Sequence, residues 1–104
     1  FFLNRYILNK EYYVHRSGAI LISGASRGIG LDAALGIAEA TSFTVFAGVR
    51  SQADFEKIQK MGIKSLKPVV LDVTDEESVI SAVKNVTEEA SRAGVQVVGL
   101  VNNA

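Results

Sequence analysis

The chain has 104 residues, 48% of them apolar and 21% charged, with eleven basic side chains balancing eleven acidic ones. That length supports one small domain, and that balance is typical of a folded globular chain and not of a disordered one. No net field draws it to nucleic acid or an anionic membrane. With no cysteine and a single histidine, His15, it has neither disulfides nor a zinc constellation.

The first residue is Phe1 and not methionine. Residues 1–18, FFLNRYILNKEYYVHRSG, interrupt their aromatics with Arg5, Lys10, Glu11 and Arg16. The stretch has no apolar run near the roughly 18 residues of a membrane span, and it lacks the layout of a signal peptide. Three readings stay open: an extension packed on the domain, an import segment, or sequence from upstream of the true start. A cytoplasmic location is the expectation.

From Ala19 the pattern becomes regular. AILIS (19–23) is a short β-prone run, the glycine-rich GASRGIG follows, and LDAALGIAEA (31–40) is helix-forming. TVFAGVR (44–50) reads as a second strand. SQADFEKIQKM (51–61) places Phe55, Ile58 and Met61 at helical spacing before a stop at Gly62. PVVLDV (68–73) reads as a third strand with Pro68 at its start, where a missing N–H does least damage. Thr74 and Glu77 form a capping box opening a helix with Val79, Ala82, Val83 and Val86 on one face. That helix ends at Gly94, and VQVVGLV (95–101) is the fourth strand.

Strands alternating with helices at this spacing predict an α/β fold: a partial, Rossmann-like, doubly wound parallel sheet of about four strands and three helices. The organisation expected is an extension of uncertain status over residues 1–18 and a partial dinucleotide-binding domain over 19–104, with the boundary near Ser17 and Gly18.

The most informative stretch is SGASRGIG, in which Gly24, Gly28 and Gly30 are spaced G-x-x-x-G-x-G between a strand and a helix. Such a turn lets backbone N–H groups and a helix N-terminus approach a pyrophosphate. The plainer reading is a tight strand-to-helix connection, and the flanking elements favour phosphate binding. A literal G-x-G-x-x-A over Gly28, Gly30 and Ala33 is a second register, which the position of Gly24 directly after the strand argues against.

A second strand that selects NAD usually ends on an acidic residue for the adenosine ribose. Here it reads AGVR: Arg50 stands at the strand end and Arg27 lies in the glycine turn, so two guanidiniums are available for a 2′-phosphate. Either arginine alone reads better as a solvated surface side chain. The pair without an acid favours NADP over NAD.

Three motifs in order, SGASRGIG, LDVTD (71–75) and VNNA (101–104), resemble the short-chain dehydrogenase/reductase family over residues 19–104. The resemblance implies an NAD(P)-dependent oxidoreductase that interconverts a hydroxyl and a carbonyl of a small molecule by hydride transfer. The subgroup acting on retinoids and steroids is the nearest in pattern. It also implies that Ser23 to Gly30, including Gly24, Ser26, Arg27, Gly28 and Gly30, line the phosphates, with Ile29 toward the nicotinamide. Asp72 would accept from the adenine amino group and Val73 would flank the ring. Val49 would stand where NAD-preferring members carry aspartate, and Arg50 where NADP-preferring members carry a basic residue. Asn102, Asn103 and Ala104 would steady the fourth strand and contact the ribose. The bland readings are a turn for Asp72 and for the asparagine pair, and helix-start acids for Asp75, Glu76 and Glu77.

The resemblance places the catalytic serine, Tyr-x-x-x-Lys and asparagine beyond the NNA turn, so no catalytic residue is assigned among these 104. YILNK (6–10) is a literal Tyr-x-x-x-Lys in the wrong order relative to the glycine turn. The fourth strand is expected to leave an open edge, and homo-oligomer formation is left open for the full-length protein. The alternatives to an enzyme are a non-catalytic NAD(P)-binding regulatory module and an inactive truncated product.

Overall fold

A computed structural model describes residues 17–103; Phe1–Arg16, with the Tyr6/Lys10 motif, and Ala104 lie outside the described residues. The elements in chain order are β1 (Ser17–Ile22), α1 (Gly28–Ala40), β2 (Ser42–Val49), α2 (Gln52–Lys60), β3 (Leu66–Val70), α3 (Glu76–Arg92) and β4 (Val97–Val101). All strand pairs are parallel and the order across the sheet is β3-β2-β1-β4.

Side chains alternate across the strands and divide the core into two layers. Ile22 of β1 and Val45, Ala47 and Val49 of β2 pack with Ala34 and Ala38 of α1 and Ile58 of α2. Ala19 and Leu21 of β1, with Phe46 and Val69, pack against Ala82, Val86 and Ala90 of α3. Helices on both faces explain why the strands read as near-continuous apolar runs. The chain runs outward through β1, β2 and β3, then doubles back so that β4 lies on the other side of β1. Because crossovers keep one hand, that reversal sends α3 to the face opposite α1 and α2. The reversal point is the β1–β4 pair.

Small residues set the depth of α1. Gly30, Ala34 and Ala38 form its buried stripe, allowing the helix to approach the sheet closely. The other two helices are closed by their own side chains: the Ser51 hydroxyl accepts from the Asp54 N–H, and the Asp75 carboxylate accepts from the N–H groups of Glu77 and Ser78. Gly62 and Gly94, just past α2 and α3, have φ of +66° and +74°, which lets the chain turn out of each helix.

Several boundaries differ from the sequence reading. The cap of α3 is Asp75 and not Thr74, because the Thr74 hydroxyl is turned back to Asp72 Oδ1 at 2.6 Å. Asp75→Ala is therefore expected to cost about 1 kcal/mol in chemical denaturation, with Thr74→Ala leaving the helix cap intact. Val83 is 51% exposed, since the buried stripe of α3 runs at a spacing of four through Ala82, Val86 and Ala90 and Val83 lies one residue round from it. Met61 forms the exposed C-cap of α2.

Pro68 lies inside β3, not at its start. The bond from Leu71 N to Val49 O sets the alternation that turns Lys67 and Val69 toward β2 and Pro68 and Val70 outward. The missing N–H of Pro68 thus faces the outer edge of the sheet, where proline is tolerated.

Candidate functional site

The carboxyl ends of β1 and β4 lie side by side at the reversal point, the place where open α/β sheets form their ligand crevice. The glycine turn leaves β1 there and Asn102–Asn103 leaves β4. Buried Ser23 ties the two together. Its N–H donates to Val101 O at 3.0 Å, its hydroxyl lies 3.2 Å from Asn102 Oδ1, and it accepts from Asn103 N at 2.9 Å. Asn103 Nδ2 donates to Gly24 O at 3.1 Å. Ser23 is placed as a fastener of the turn, a role invisible in sequence because its partners are nearly 80 residues away.

The three glycines meet different demands. Gly24 has φ +62° and carries its backbone against Asn103, so that a Cβ would collide with the Asn103 carbonyl oxygen. Gly30 is confined by Gly24 O and Asn103 Nδ2. At Gly28, φ is +63° and a Cβ would meet nothing within 4 Å, leaving open space above the start of α1. Arg27 occupies the N-cap position without a side-chain cap bond, and no acidic residue lies in the first turn. Of the three helices, this is the one whose N-terminal N–H groups are not met by its own cap, which suits it to an anion.

The remaining sequence-predicted residues surround this point. Ile29, in the first turn of α1, is 81% exposed, and Val73, past the end of β3, is 49% exposed. Ser26 and Arg27 lie in the turn itself. A cleft of about 190 Å³ is lined by Ser23, Gly24, Arg50, Leu71, Asp72, Val73, Thr74 and Asn103. A wider groove, about 530 Å³, lies along the outer edge of β3 between α2 and α3. It contains no residue of the turn, so the smaller cleft is the candidate site.

Val49 is the last residue of β2. It is fully buried in the layer under α1 and α2, so its side chain does not reach toward a ribose. Arg50, the next residue, emerges at the strand end and approaches Asp72 Oδ2 at 3.8 Å.

Asp72 is engaged on both oxygens, its Oδ1 accepting from the Thr74 hydroxyl and from Thr74 N at 3.0 Å. The two Thr74 bonds, the hydroxyl first, hold its carboxyl below the ordinary 3.8 against an opposing effect of burial, with the Arg50 charge the least of these contributions. Because the folded value is depressed, the associated stabilisation is complete above the unfolded-chain value and is lost as pH falls through the folded value. Thr74→Val should move the Asp72 titration, followed by carboxyl-carbon NMR, upward toward 3.8. An unchanged midpoint would remove the hydroxyl as its main cause.

The short chain dehydrogenase family model matches residues 18–104, and the chain belongs to that family. Among curated relatives it is 38% identical over 95 residues to hydroxysteroid dehydrogenase-like protein 2 of Bos taurus, covering 82% of this chain and 22% of that protein. It is 30% identical over 89 residues to short-chain dehydrogenase anuI of Penicillium roqueforti (strain FM164), covering 82% and 34%. Among solved structures, the 3-ketoacyl-(acyl-carrier-protein) reductase of Brucella melitensis complexed with NADH is similar at TM-score 0.72 and 28% identity, covering 84% of this chain and 34% of that one. The actinorhodin polyketide ketoreductase with NADPH is similar at TM-score 0.69 and 25% identity, covering 89% and 35%. The chain thus spans about a third or less of the length of these proteins. No helix among the described residues is long and apolar enough to cross a membrane.

Proposed function

We propose that this chain forms the cofactor-holding part of an oxidoreductase that uses NADP and interconverts a hydroxyl and a carbonyl on a small-molecule substrate. The observation carrying this reading is the uncapped N-terminus of α1, placed at the reversal point of the sheet beneath the open space over Gly28. Two similar structures are described with NADH and NADPH, and the names of the relatives refer to hydroxysteroid, ketoacyl and ketoreductase chemistry. Residues 19–104 act as one partial dinucleotide-binding domain, with 1–18 an extension to it.

In this reading the N–H groups of Gly28, Ile29 and Gly30 hold the pyrophosphate. Gly24 and Ser26 shape the turn around it. Arg27 and Arg50 neutralise the 2′-phosphate, Asp72 accepts from the adenine amino group through Oδ2, and Val73 covers the ring. Ile29 supports the nicotinamide side, and Asn102, Asn103 and Ala104 border the ribose. The nicotinamide, when bound, accepts or supplies a hydride. The residues described here bind and orient, and none is assigned a proton-transfer role.

Titration of the protein with NADPH and NADH, followed by nicotinamide fluorescence, tests the reading. Saturable binding of both, tighter for NADPH, is expected. Failure to bind either would refute the cofactor site, and tighter NADH binding would refute the choice of NADP.

A further inference from the structure

One contact at the glycine turn comes from an element that the turn motif does not include. Lys57, in the second turn of α2, donates from Nζ to the backbone carbonyl of Ser26 at 2.9 Å, across 31 residues of sequence. Ser26 directly precedes Arg27 in the turn. The helix that carries Lys57 begins directly after Arg50 and is fixed there by the Ser51 cap. One short helix therefore bridges the strand end bearing Arg50 and the turn bearing Arg27.

An ammonium group has three N–H donors. The Ser26 bond uses one, leaving two on an exposed side chain. Among the described residues the ion pairs are Arg50–Asp72 and Arg92–Glu89, so Lys57 is not paired with Asp54 or Glu56 of its own helix.

We infer that Lys57 is a specificity-determining residue, a third cation that joins Arg27 and Arg50 around the 2′-phosphate of the dinucleotide while holding the Ser26–Arg27 peptide in position. This rests on the NADP reading above. A doubly charged phosphate bound beside Ser26 would lie between the turn that carries Arg27 and the helix that carries Lys57, with Arg50 on the strand end that leads into that helix. A dinucleotide with a free 2′-hydroxyl offers that ammonium no charge, so the residue discriminates between the two and does not merely add affinity.

The test compares adenosine 2′,5′-bisphosphate with adenosine 5′-monophosphate by calorimetric titration of the full chain and its variants. Wild type should prefer the bisphosphate. Lys57→Gln should weaken the bisphosphate about tenfold, the scale of one charge-assisted hydrogen bond, and leave the monophosphate within about twofold. Lys57→Arg should retain most of the preference. Equal losses for both ligands in Lys57→Gln would reduce Lys57 to a tether of the turn and overturn the proposal, as would no loss for either. A wild type without preference would refute the NADP reading itself, and Lys57 with it. Should Lys57→Gln fail to fold, acetylation of the wild type decides. The bisphosphate should slow modification of Lys57 relative to Lys60 and the monophosphate should not; equal protection by both, or by neither, overturns the proposal.

Discussion

Gly24→Ala and Gly28→Ala should separate the two jobs of the glycine turn, the first destroying the fold's stability and the second only its ligand. At Gly24 the added methyl is driven into the Asn103 carbonyl oxygen in a backbone with φ +62°. Relief would require parting the ends of β1 and β4, where Ser23 and Asn103 are mutually bonded. Left-handed strain and overpacking together place the cost at about 3 kcal/mol, a large share of a small domain's stability. At Gly28 the methyl enters free space and the fold loses only about 1–2 kcal/mol of left-handed strain. The methyl then stands where the pyrophosphate must approach, and NADPH affinity should fall by roughly a hundredfold or more, the scale of several lost charge-assisted bonds. Urea denaturation and NADPH titration of both variants check this. Full binding by Gly28→Ala would remove the open space above α1 from the site.

Arg50→Glu should reverse cofactor preference with little change in stability. The side chain is 74% exposed and its only described ion pair, with Asp72, spans 3.8 Å. Surface pairs of this kind contribute about 0–1 kcal/mol. Against a 2′-phosphate the substitution replaces attraction with repulsion, so NADPH binding should weaken by roughly 10- to 100-fold while NADH changes little. The added carboxylate beside Asp72 should also raise the Asp72 titration, a second readout independent of any ligand. If NADPH and NADH weaken together, Arg50 supports the cleft in general and does not select the phosphate.

The element types were legible because the strands read as short continuous apolar runs and the helices space their apolar residues by three and four, and the glycine turn because G-x-x-x-G-x-G sits between one of each. What sequence withheld was orientation. Every residue from Val45 to Val49 is buried, since helices cover both faces of β2, and a strand without alternation does not announce which way Val49 points. Thr74 and Asp75 are both good caps, and only the return of the Thr74 hydroxyl to Asp72 assigns the cap to its neighbour. The fastening of Ser23 to Asn102 and Asn103, and of Lys57 to Ser26, joins residues far apart in the chain. No local spacing encodes such pairs; they exist once the sheet order brings their elements together.

The two margins of the sheet are chemically unequal. Along β3 the outward row includes Pro68, which has no hydrogen to offer. Along β4 the bond from Ser23 N to Val101 O turns Val101 inward, leaving Leu100 with an outward amide, and Leu100 is 68% exposed. Among the described residues, β4 offers a regular outward edge only past the register shift between Val97 and Gly99, and β3 is interrupted at Pro68. Among the described residues the outer edge of β4 ends where Asn102 and Asn103 help close the glycine turn, so a strand added there would border the same contacts that hold Ser23 and Gly24.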